Sequence, residues 1–248
     1  IPHATPIDVQ AVSTSKKNAK HVAATQLFRG YPHVADLVRQ MIAPDVRPVV
    51  VLIDRTRGYL ARHPQCTVYI GAQHAERLSA LDAAGGVVAV DTEGACGGLA
   101  TWIQIFNGTD TVLLLPVHAC YAALVTFLRS NNTTKLFWDY ASDARQLPPV
   151  QRVVDVQHVY ARWRAQQMGV TMTQPMHNHS LANALSHVFT KGAQRVCKLP
   201  LGTDEDVFYS TFDTVRELDE LHRTYMVGDV VYLWELHGRV CGATLGNV

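Results

Sequence analysis

The sequence lacks two patterns that would assign it to a class at once, paired cysteines and long apolar runs. Its five cysteines are odd in number and form no Cys-x-x-Cys pair, which indicates reduced thiols and excludes a disulfide framework. The longest apolar patches, such as Val49–Ile53 and Val112–Val117, are far shorter than the roughly 18 residues of a membrane helix. With 48% apolar residues in 248, the chain is predicted to be a globular domain with a substantial core and no membrane contact.

Net charge is also nearly absent, since 22 basic residues face 21 acidic ones. Taken alone, this balance argues against a nucleic-acid-binding protein. The placement of the charges is uneven, however, because residues 156–203 contain no Asp or Glu. The basic residues of this acid-free segment are Arg162, Arg164, Lys191, Arg195 and Lys198. Such a segment is typical of contacts to a phosphate backbone, although a run of Gln, Ala and Thr that merely lacks acids is the alternative.

The first 35 residues are basic, with Lys16, Lys17, Lys20 and Arg29 against the single acid Asp8. This composition fits the tail of an organelle transit peptide, and a flexible, solvated N-terminus would have the same composition. We expect a mitochondrial location, with the nucleus or cytoplasm as alternatives. The domain organisation that we predict is a partly structured N-terminal extension of residues 1–65, a main domain of residues 66–240 and a C-terminal tail of residues 241–248.

The main domain begins with strand-like runs around an Asn107–Gly108 turn and ends in helices. The predicted strands are 48–53, 67–70, 87–91, 101–106, 111–116, 135–139 and 153–155. The predicted helices are 73–83, 119–130, a short one near Asp143, 157–167, 180–190 and a long one over 213–236. An antiparallel meander followed by alternating helices and strands predicts one α/β domain with a helical C-terminal part.

Carboxylates stand at unusual positions in this pattern. Side chains alternate along a strand, so Asp91 and Glu93 extend one face of a run that is otherwise apolar. Asp229 lies on a mostly apolar helical stripe, one turn after Tyr225, and an unpaired carboxylate there is costly unless it binds a cation or a strong donor. The residues of this stripe are Val215, Leu218, His222, Tyr225, Asp229, Tyr232 and Leu236. The alternatives are a strand that ends at the surface and an acid at the edge of the stripe that faces water.

Four ordered motifs resemble those of the RNase D-type 3′–5′ exonucleases. Val-Asp91-Thr-Glu93-Gly, followed by Gly-Leu99-Ala-Thr-Trp102-Ile-Gln, is similar to the first motif. Trp-Asp139-Tyr-Ala-Ser-Asp143-Ala-Arg-Gln-Leu resembles the second, and Val-Asp155-Val-Gln resembles the strand that follows it. Tyr225-Met-Val-Gly-Asp229 resembles the third motif of the tyrosine subgroup of DEDD exonucleases. Gly94 departs from the family, in which an aromatic residue usually follows the Asp-x-Glu.

The resemblance implies an RNase H-like fold, with a mixed five-stranded sheet flanked by helices, and a site for two divalent cations, Mg²⁺ or Mn²⁺. In this family pattern Asp91 bridges both ions, Glu93 and Asp229 complete one, and Asp143 holds the second. Tyr225 orients the attacking water. We prefer Asp143 to Asp139 because it matches the family's ligand position.

The predicted function is therefore a 3′–5′ exoribonuclease that releases nucleoside 5′-monophosphates from single-stranded RNA. The predicted RNA contacts are Gly94, Leu99, Trp102, Arg162, Lys191, Arg195 and Lys198. Usage rich in Ala, Val and His, together with the organelle-like start, suggests a kinetoplastid mitochondrial member of the family. The resemblance would then imply trimming of the 3′ uridine tails of small mitochondrial RNAs. We expect a monomer that acts in an RNA-processing complex. The alternatives are a DNA exonuclease of the same superfamily and a catalytically silent RNA-binding adaptor, which would have no need of clustered acids.

Overall fold

The structure, a computed structural model, describes residues 47–94, 99–169, 180–190, 193–214 and 217–245. The described residues from Pro48 onward form one compact unit. Its strands are β1 (Val49–Val51), β2 (Thr67–Ile70), β3 (Gly86–Glu93), β4 (Trp102–Phe106), β5 (Thr111–Pro116), β6 (Thr133–Phe137), β7 (Val153–Asp155) and β8 (Arg195–Cys197). Its α-helices are α1 (Leu52–Arg62), α2 (Arg77–Ala84), α3 (Tyr121–Arg129), α4 (Tyr140–Asp143), α5 (Val156–Gln167), α6 (Leu181–Phe189), α7 (Glu205–Thr214) and α8 (Glu220–Leu245).

Six strands form a mixed sheet in the order β2-β5-β4-β3-β6-β7. The β3-β4 and β4-β5 pairs are antiparallel, whereas β2 pairs with β5, and β6 with β3 and β7, in parallel. The turn between β4 and β5 is closed by Asn107, whose Oδ1 accepts hydrogen bonds from the backbone N–H groups of Thr109, Asp110 and Thr111. The predicted fold class is confirmed, with six strands in the sheet instead of five.

The two faces of the sheet carry separate hydrophobic cores because successive side chains of a strand point to opposite faces. On one face, Val88 and Val90 of β3 pack with residues of α2 and α3. On the other face, Ala89 packs with residues of α1, α5, α6, α7 and α8. Asp91 and Glu93 continue the alternation of Ala89, which directs them to the face covered by α8.

The α3 side of the sheet contains a buried lysine. Lys135 of β6 is fully buried, and its Nζ donates to the backbone oxygen of Ser130 at 2.6 Å. The same ammonium lies 5.3 Å from the centroid of the Phe127 ring. Burial lowers the pKa of Lys135, although the nearby Asp82 acts in the opposite direction. This lysine therefore has a local structural role within the core.

Several element predictions were wrong in their extent. The strand predicted over 48–53 ends at Val51, and α1 begins at Leu52. The long helix predicted over 213–236 begins only at Glu220, as α8, where the Asp219 side chain accepts a hydrogen bond from the backbone N–H of His222 at 2.8 Å and caps the helix. Its first two residues instead end α7, a helix that was not predicted. Strand β8, which pairs in parallel with β1, was not predicted. The domain boundary between residues 65 and 66 stays a prediction.

Helices long and apolar enough for a bilayer span are absent from the described residues. The longest, α8, instead packs on the sheet through its buried residues Met226, Val230, Val231 and Leu233. Its stripe His222, Tyr225, Asp229, Tyr232 and Leu236 is buried as a whole. Of the other stripe residues, Leu218 precedes the helix and Val215 lies outside the described residues.

Candidate active site

Three carboxylates meet where the end of β3 faces the middle of α8. One carboxylate oxygen from each of Asp91, Glu93 and Asp229 lies within 4.8 Å of the others. Asp91 and Glu93 are half-buried, and Asp229 is only 1% exposed. This acidic cluster brings together residues that are about 136 positions apart in the chain. Packing of a helix on the sheet can bring such distant residues together, whereas local structure cannot.

The β3 carboxylates are positioned by the neighbouring strand. Asp91 pairs in register with Gln104 of β4, and the Gln104 Nε2 donates to Asp91 Oδ2 at 3.1 Å. Gln104 is fully buried within a strand whose other residues are apolar or aromatic. The sequence already indicated a role for Gln104, because a glutamine inside Trp-Ile-Gln-Ile-Phe needs a polar partner. Its contact with Asp91 was not predicted.

Asp229 is held in place by close packing of α1 against α8. A Cβ added at Gly228 would lie 2.7 Å from the Thr56 Oγ1, so only glycine allows this approach. Thr56 is fully buried, and its hydroxyl donates to the backbone oxygen of Leu52 at 2.9 Å. Gly228 therefore allows α1 and α8 to pack closely, and this packing positions the neighbouring Asp229 carboxylate relative to β3.

A lysine ammonium lies on the acidic cluster. The Nζ of Lys198 is 2.9 Å from Asp229 Oδ1 and donates to Asp229 Oδ2 at 3.0 Å. It also donates to the Tyr225 hydroxyl at 3.0 Å, and a second tyrosine hydroxyl, that of Tyr209, lies 3.3 Å from the Tyr225 hydroxyl. Sequence reasoning placed Lys198 on the RNA backbone and missed Tyr209, because β8 and α7 reach the site only through tertiary packing.

The acidic cluster carries more negative charge than the one nearby ammonium group can neutralise. Burial, together with the carboxylates of Asp229, Asp143 and Glu93, raises the pKa of Asp91 well above its usual range. Burial and Asp229 raise the pKa of Glu93 to about 8. Burial alone would lower the pKa of Lys198, but the surrounding carboxylates outweigh it and raise that pKa. One ammonium therefore does not balance the cluster, and a further cation would stabilise the ionised carboxylates.

Tyr225 keeps its proton in this environment. The ring is 4% exposed, and burial followed by the charges of Asp229 and Glu93 raises the pKa of its hydroxyl well above 10.0. The hydroxyl is thus a neutral hydrogen-bonding group and not a base.

The second acidic motif contributes two carboxylates with different surroundings. Asp143 of α4 is buried, and its Oδ1 accepts a hydrogen bond from the Thr92 hydroxyl at 2.5 Å. Thr92 is the residue of β3 between Asp91 and Glu93. Burial raises the pKa of Asp143 to about 7. Asp139 precedes α4 in a left-handed conformation, with φ 58°, and accepts from the Ser142 hydroxyl at 2.9 Å.

The third acid of this region has a structural role. The Asp155 carboxylate accepts hydrogen bonds from the backbone N–H groups of Gln157 and Tyr140, both at 3.0 Å. It thereby caps α5 and fixes the start of α4, the helix that carries Asp143. Asp143 lies beside the acidic cluster, whereas its oxygens are not among the three that converge within 4.8 Å.

Three of the predicted RNA contacts, Gly94, Leu99 and Trp102, lie in or just after the first acidic motif. Gly94 has φ 142°, and a Cβ there would lie 2.3 Å from the Thr101 backbone nitrogen, which explains why no aromatic side chain stands at this position. Leu99 is 48% exposed. Trp102 is 3% exposed and packs in the core on the α8 side, so its ring offers no open face to a base.

The basic residues predicted to contact RNA differ in their surroundings. Arg162 of α5 and Arg195 of β8 are exposed. Lys198 lies in the acidic cluster, as described above. Lys191 lies outside the described residues.

Comparison with known proteins places this geometry on a recognised fold. No protein-family model matches the sequence, and no curated protein matches it. Among solved structures, Escherichia coli RNase D, an exoribonuclease involved in structured RNA processing, superposes with a TM-score of 0.52 at 19% identity, over 73% of this chain and 45% of that one. The catalytic core of RRP6 from Trypanosoma brucei gives the same TM-score, identity and coverage of this chain, over 47% of its own.

Trypanosoma brucei RNase D in complex with RNA U12 superposes with a TM-score of 0.54 at 15% identity, over 70% of this chain and 63% of that one. The chain thus spans about half to two thirds of the length of these structures. At such identities the likeness is one of fold, and it confirms the resemblance to RNase D-like exonucleases at that level.

Proposed function

We propose that this protein is a metal-dependent 3′–5′ exoribonuclease. The observation that carries the proposal is the convergence of Asp91, Glu93 and Asp229 within 4.8 Å, with Tyr225 one helical turn before Asp229. A catalytically silent adaptor would gain nothing from buried carboxylates that repel one another. The fold shared with exoribonucleases supports the same reading.

The residues of the acidic cluster fit divalent cations. All of them offer hard carboxylate oxygens, which favour Mg²⁺ or Mn²⁺ over softer metals. Burial and the neighbouring carboxylates raise the pKa values of Asp91 and Glu93, so added positive charge would stabilise their ionised forms. In the proposed site Asp91 would be a ligand of both ions, Glu93 and Asp229 would complete the ligands of one, and Asp143 would hold the second. Two such ions would activate the attacking water and stabilise the attacking and leaving oxygens of the scissile phosphate.

The remaining side chains act on the substrate and the water. Tyr225 keeps its proton and is suited to orient the attacking water through its hydroxyl. Thr92 holds the Asp143 carboxylate, and Gln104 holds that of Asp91, so both are positioned before substrate arrives. Lys198 supplies a fixed positive charge close to where the phosphate would bind.

RNA is the proposed substrate. The acid-free segment 156–203, which includes Arg162 and Arg195, suits a sequence-independent phosphate backbone. The Trypanosoma brucei structure similar to this chain contains RNA. Together with the basic composition of the first 35 residues, this favours mitochondrial RNAs with 3′ uridine tails as the proposed physiological targets.

The test is degradation of matched single-stranded RNA and DNA oligonucleotides, labelled at the 5′ end, with Mg²⁺, Mn²⁺ or Ca²⁺. We expect a ladder of RNAs shortened one nucleotide at a time and nucleoside 5′-monophosphates as products, with Mg²⁺ and Mn²⁺ only. Faster loss of DNA than RNA would make the protein a DNA exonuclease. RNA binding without any shortening would make it an adaptor.

A further inference from the structure

A cavity of about 400 Å³ opens beside the acidic cluster, between the start of α6, strand β8 and the first turns of α7. Its walls include Arg195 and Lys198 from β8 and the residues after it, and Tyr209 from α7. The volume is near the lower end of the range of small-molecule sites, roughly 300–1,000 Å³, and suits a single nucleotide.

Two residues belong both to the cavity wall and to the surroundings of Tyr225. The Lys198 ammonium donates to the Tyr225 hydroxyl at 3.0 Å, and the Tyr209 hydroxyl lies 3.3 Å from it. The rings of Tyr209 and Tyr225 meet edge to face, with centroids 5.9 Å apart. A molecule in the cavity would therefore lie directly next to the group proposed to orient the attacking water.

The wall offers the groups that a nucleotide needs. Arg195 is exposed and forms no ion pair with any acid in the described ranges, which leaves its guanidinium available for a phosphate. Tyr209 is 38% exposed and presents an aromatic ring at the edge of the cavity. Ser180 and Asn183 add neutral polar groups, and Glu205 is the one carboxylate among the lining residues.

We propose that this cavity binds one nucleotide of the RNA strand, with its phosphate on Arg195 and its base against the ring of Tyr209. The inference rests on the proposed function and adds a substrate contact that neither the acidic motifs nor the end of β3 supplies. A ring contact of this kind tolerates any base, as expected of an enzyme that shortens RNA stepwise. A released nucleoside 5′-monophosphate has the same chemistry and is the alternative source of the ligand.

The test measures the affinity for fluorescently labelled single-stranded RNA in Ca²⁺, which we expect to support binding without turnover. Arg195→Gln and Tyr209→Ala should each weaken binding about tenfold, whereas Tyr209→Phe, which keeps the ring, should bind like the wild type. Arg129→Gln and Tyr121→Ala are matched controls, since both residues are exposed on α3, and should leave affinity unchanged.

Wild-type affinity in both Arg195→Gln and Tyr209→Ala would overturn the inference. It would also be overturned if the two variants changed only inhibition by uridine 5′-monophosphate, since the cavity would then be a product site. Failure of the proposed function has a separate readout, which is the absence of mononucleotide release by the wild-type protein in Mg²⁺ or Mn²⁺.

Discussion

Two lysine ammonium groups in the described part of the chain have contrasting surroundings. Lys135, on the α3 side of the sheet, donates to a neutral backbone oxygen, and burial lowers its pKa. Lys198, on the α8 side, lies against both oxygens of Asp229 among further carboxylates, which raise its pKa despite burial. The Lys135 ammonium makes a local hydrogen bond. The Lys198 ammonium offsets part of the negative charge of the carboxylates around it, but not all of it.

This contrast distinguishes a structural polar group from a functional one. Asp82, near Lys135, accepts hydrogen bonds from Thr133 and Asn132 and belongs to no carboxylate cluster in the described residues. Asp91, Glu93 and Asp229 instead converge, although burial and mutual repulsion raise the pKa of the first two. Stability alone would not select such an arrangement, whereas binding of divalent cations would.

The largest effect expected is loss of hydrolysis in Asp91→Asn or Asp229→Asn. Each change removes a proposed metal ligand that would stabilise the transition state by about 4 kcal/mol or more, so release of mononucleotides should fall about 10³-fold or more. Asp82→Asn on the opposite side of the sheet is the matched control and should keep the wild-type rate. Near-normal activity in either cluster variant would refute the assignment of the site.

The next effect separates the two acids of the second motif. Asp143→Asn should slow hydrolysis about 10²-fold, because its carboxylate is buried beside the acidic cluster and held by Thr92. Asp139→Asn should have little effect, since asparagine tolerates the left-handed backbone at that position. Initial rates with a 5′-labelled RNA make the comparison, and a larger loss in Asp139→Asn would reverse the choice.

Tyr225→Phe should lower kcat about 10- to 100-fold while leaving Mn²⁺ affinity unchanged. The ring fills the same volume in the core, and only the hydroxyl that contacts Lys198 is lost. Rates and Mn²⁺ binding measured on the same preparation separate the two effects. An unchanged kcat would show that the hydroxyl does not contact the reacting water.

Neutralising Lys198 and neutralising Lys135 should have different effects on Mn²⁺ affinity and on stability. Lys198→Gln removes a cation that competes for the Asp229 carboxylate, so affinity for Mn²⁺ should rise several-fold. Lys135→Gln should leave Mn²⁺ affinity unchanged and lower stability by roughly 1–3 kcal/mol, through the disturbed hydrogen bond to Ser130. Calorimetric Mn²⁺ titration and thermal unfolding measure both. Equal Mn²⁺ affinities in the wild type and Lys198→Gln would show that the ammonium does not compete.

The smallest effect concerns pH and stability without divalent ions. The pKa of Glu93 is about 8 in the folded protein against an ordinary value of 4.5, so the folded state holds this proton more tightly. The associated stability is present at low pH and is lost as pH rises from about 4.5 to about 8. Glu93→Gln should therefore raise Tm by about 2–4 °C at pH 8.5 and change it little near pH 5. An equal shift at both pH values would exclude titration of Glu93 as the cause.

The sequence predicted those parts of the site that depend on local pattern. Strand alternation placed Asp91 and Glu93 on one face, and helical spacing placed Tyr225 and Asp229 on one stripe. The contact of Thr56 with Gly228 and that of Lys198 with Asp229 were not predictable in this way, because each joins elements distant in the chain. The break before α8 depends on one capping carboxylate, Asp219, inside an otherwise continuous helical pattern.

The central claim is that the acidic cluster binds divalent cations, and Mn²⁺ binding measured by electron paramagnetic resonance tests it most directly. We predict that the wild-type protein at pH 8 binds two Mn²⁺ ions per chain and that Asp91→Asn, which removes the proposed bridging ligand, loses both. Equal binding by the wild type and Asp91→Asn, or no binding by either, would contradict the account.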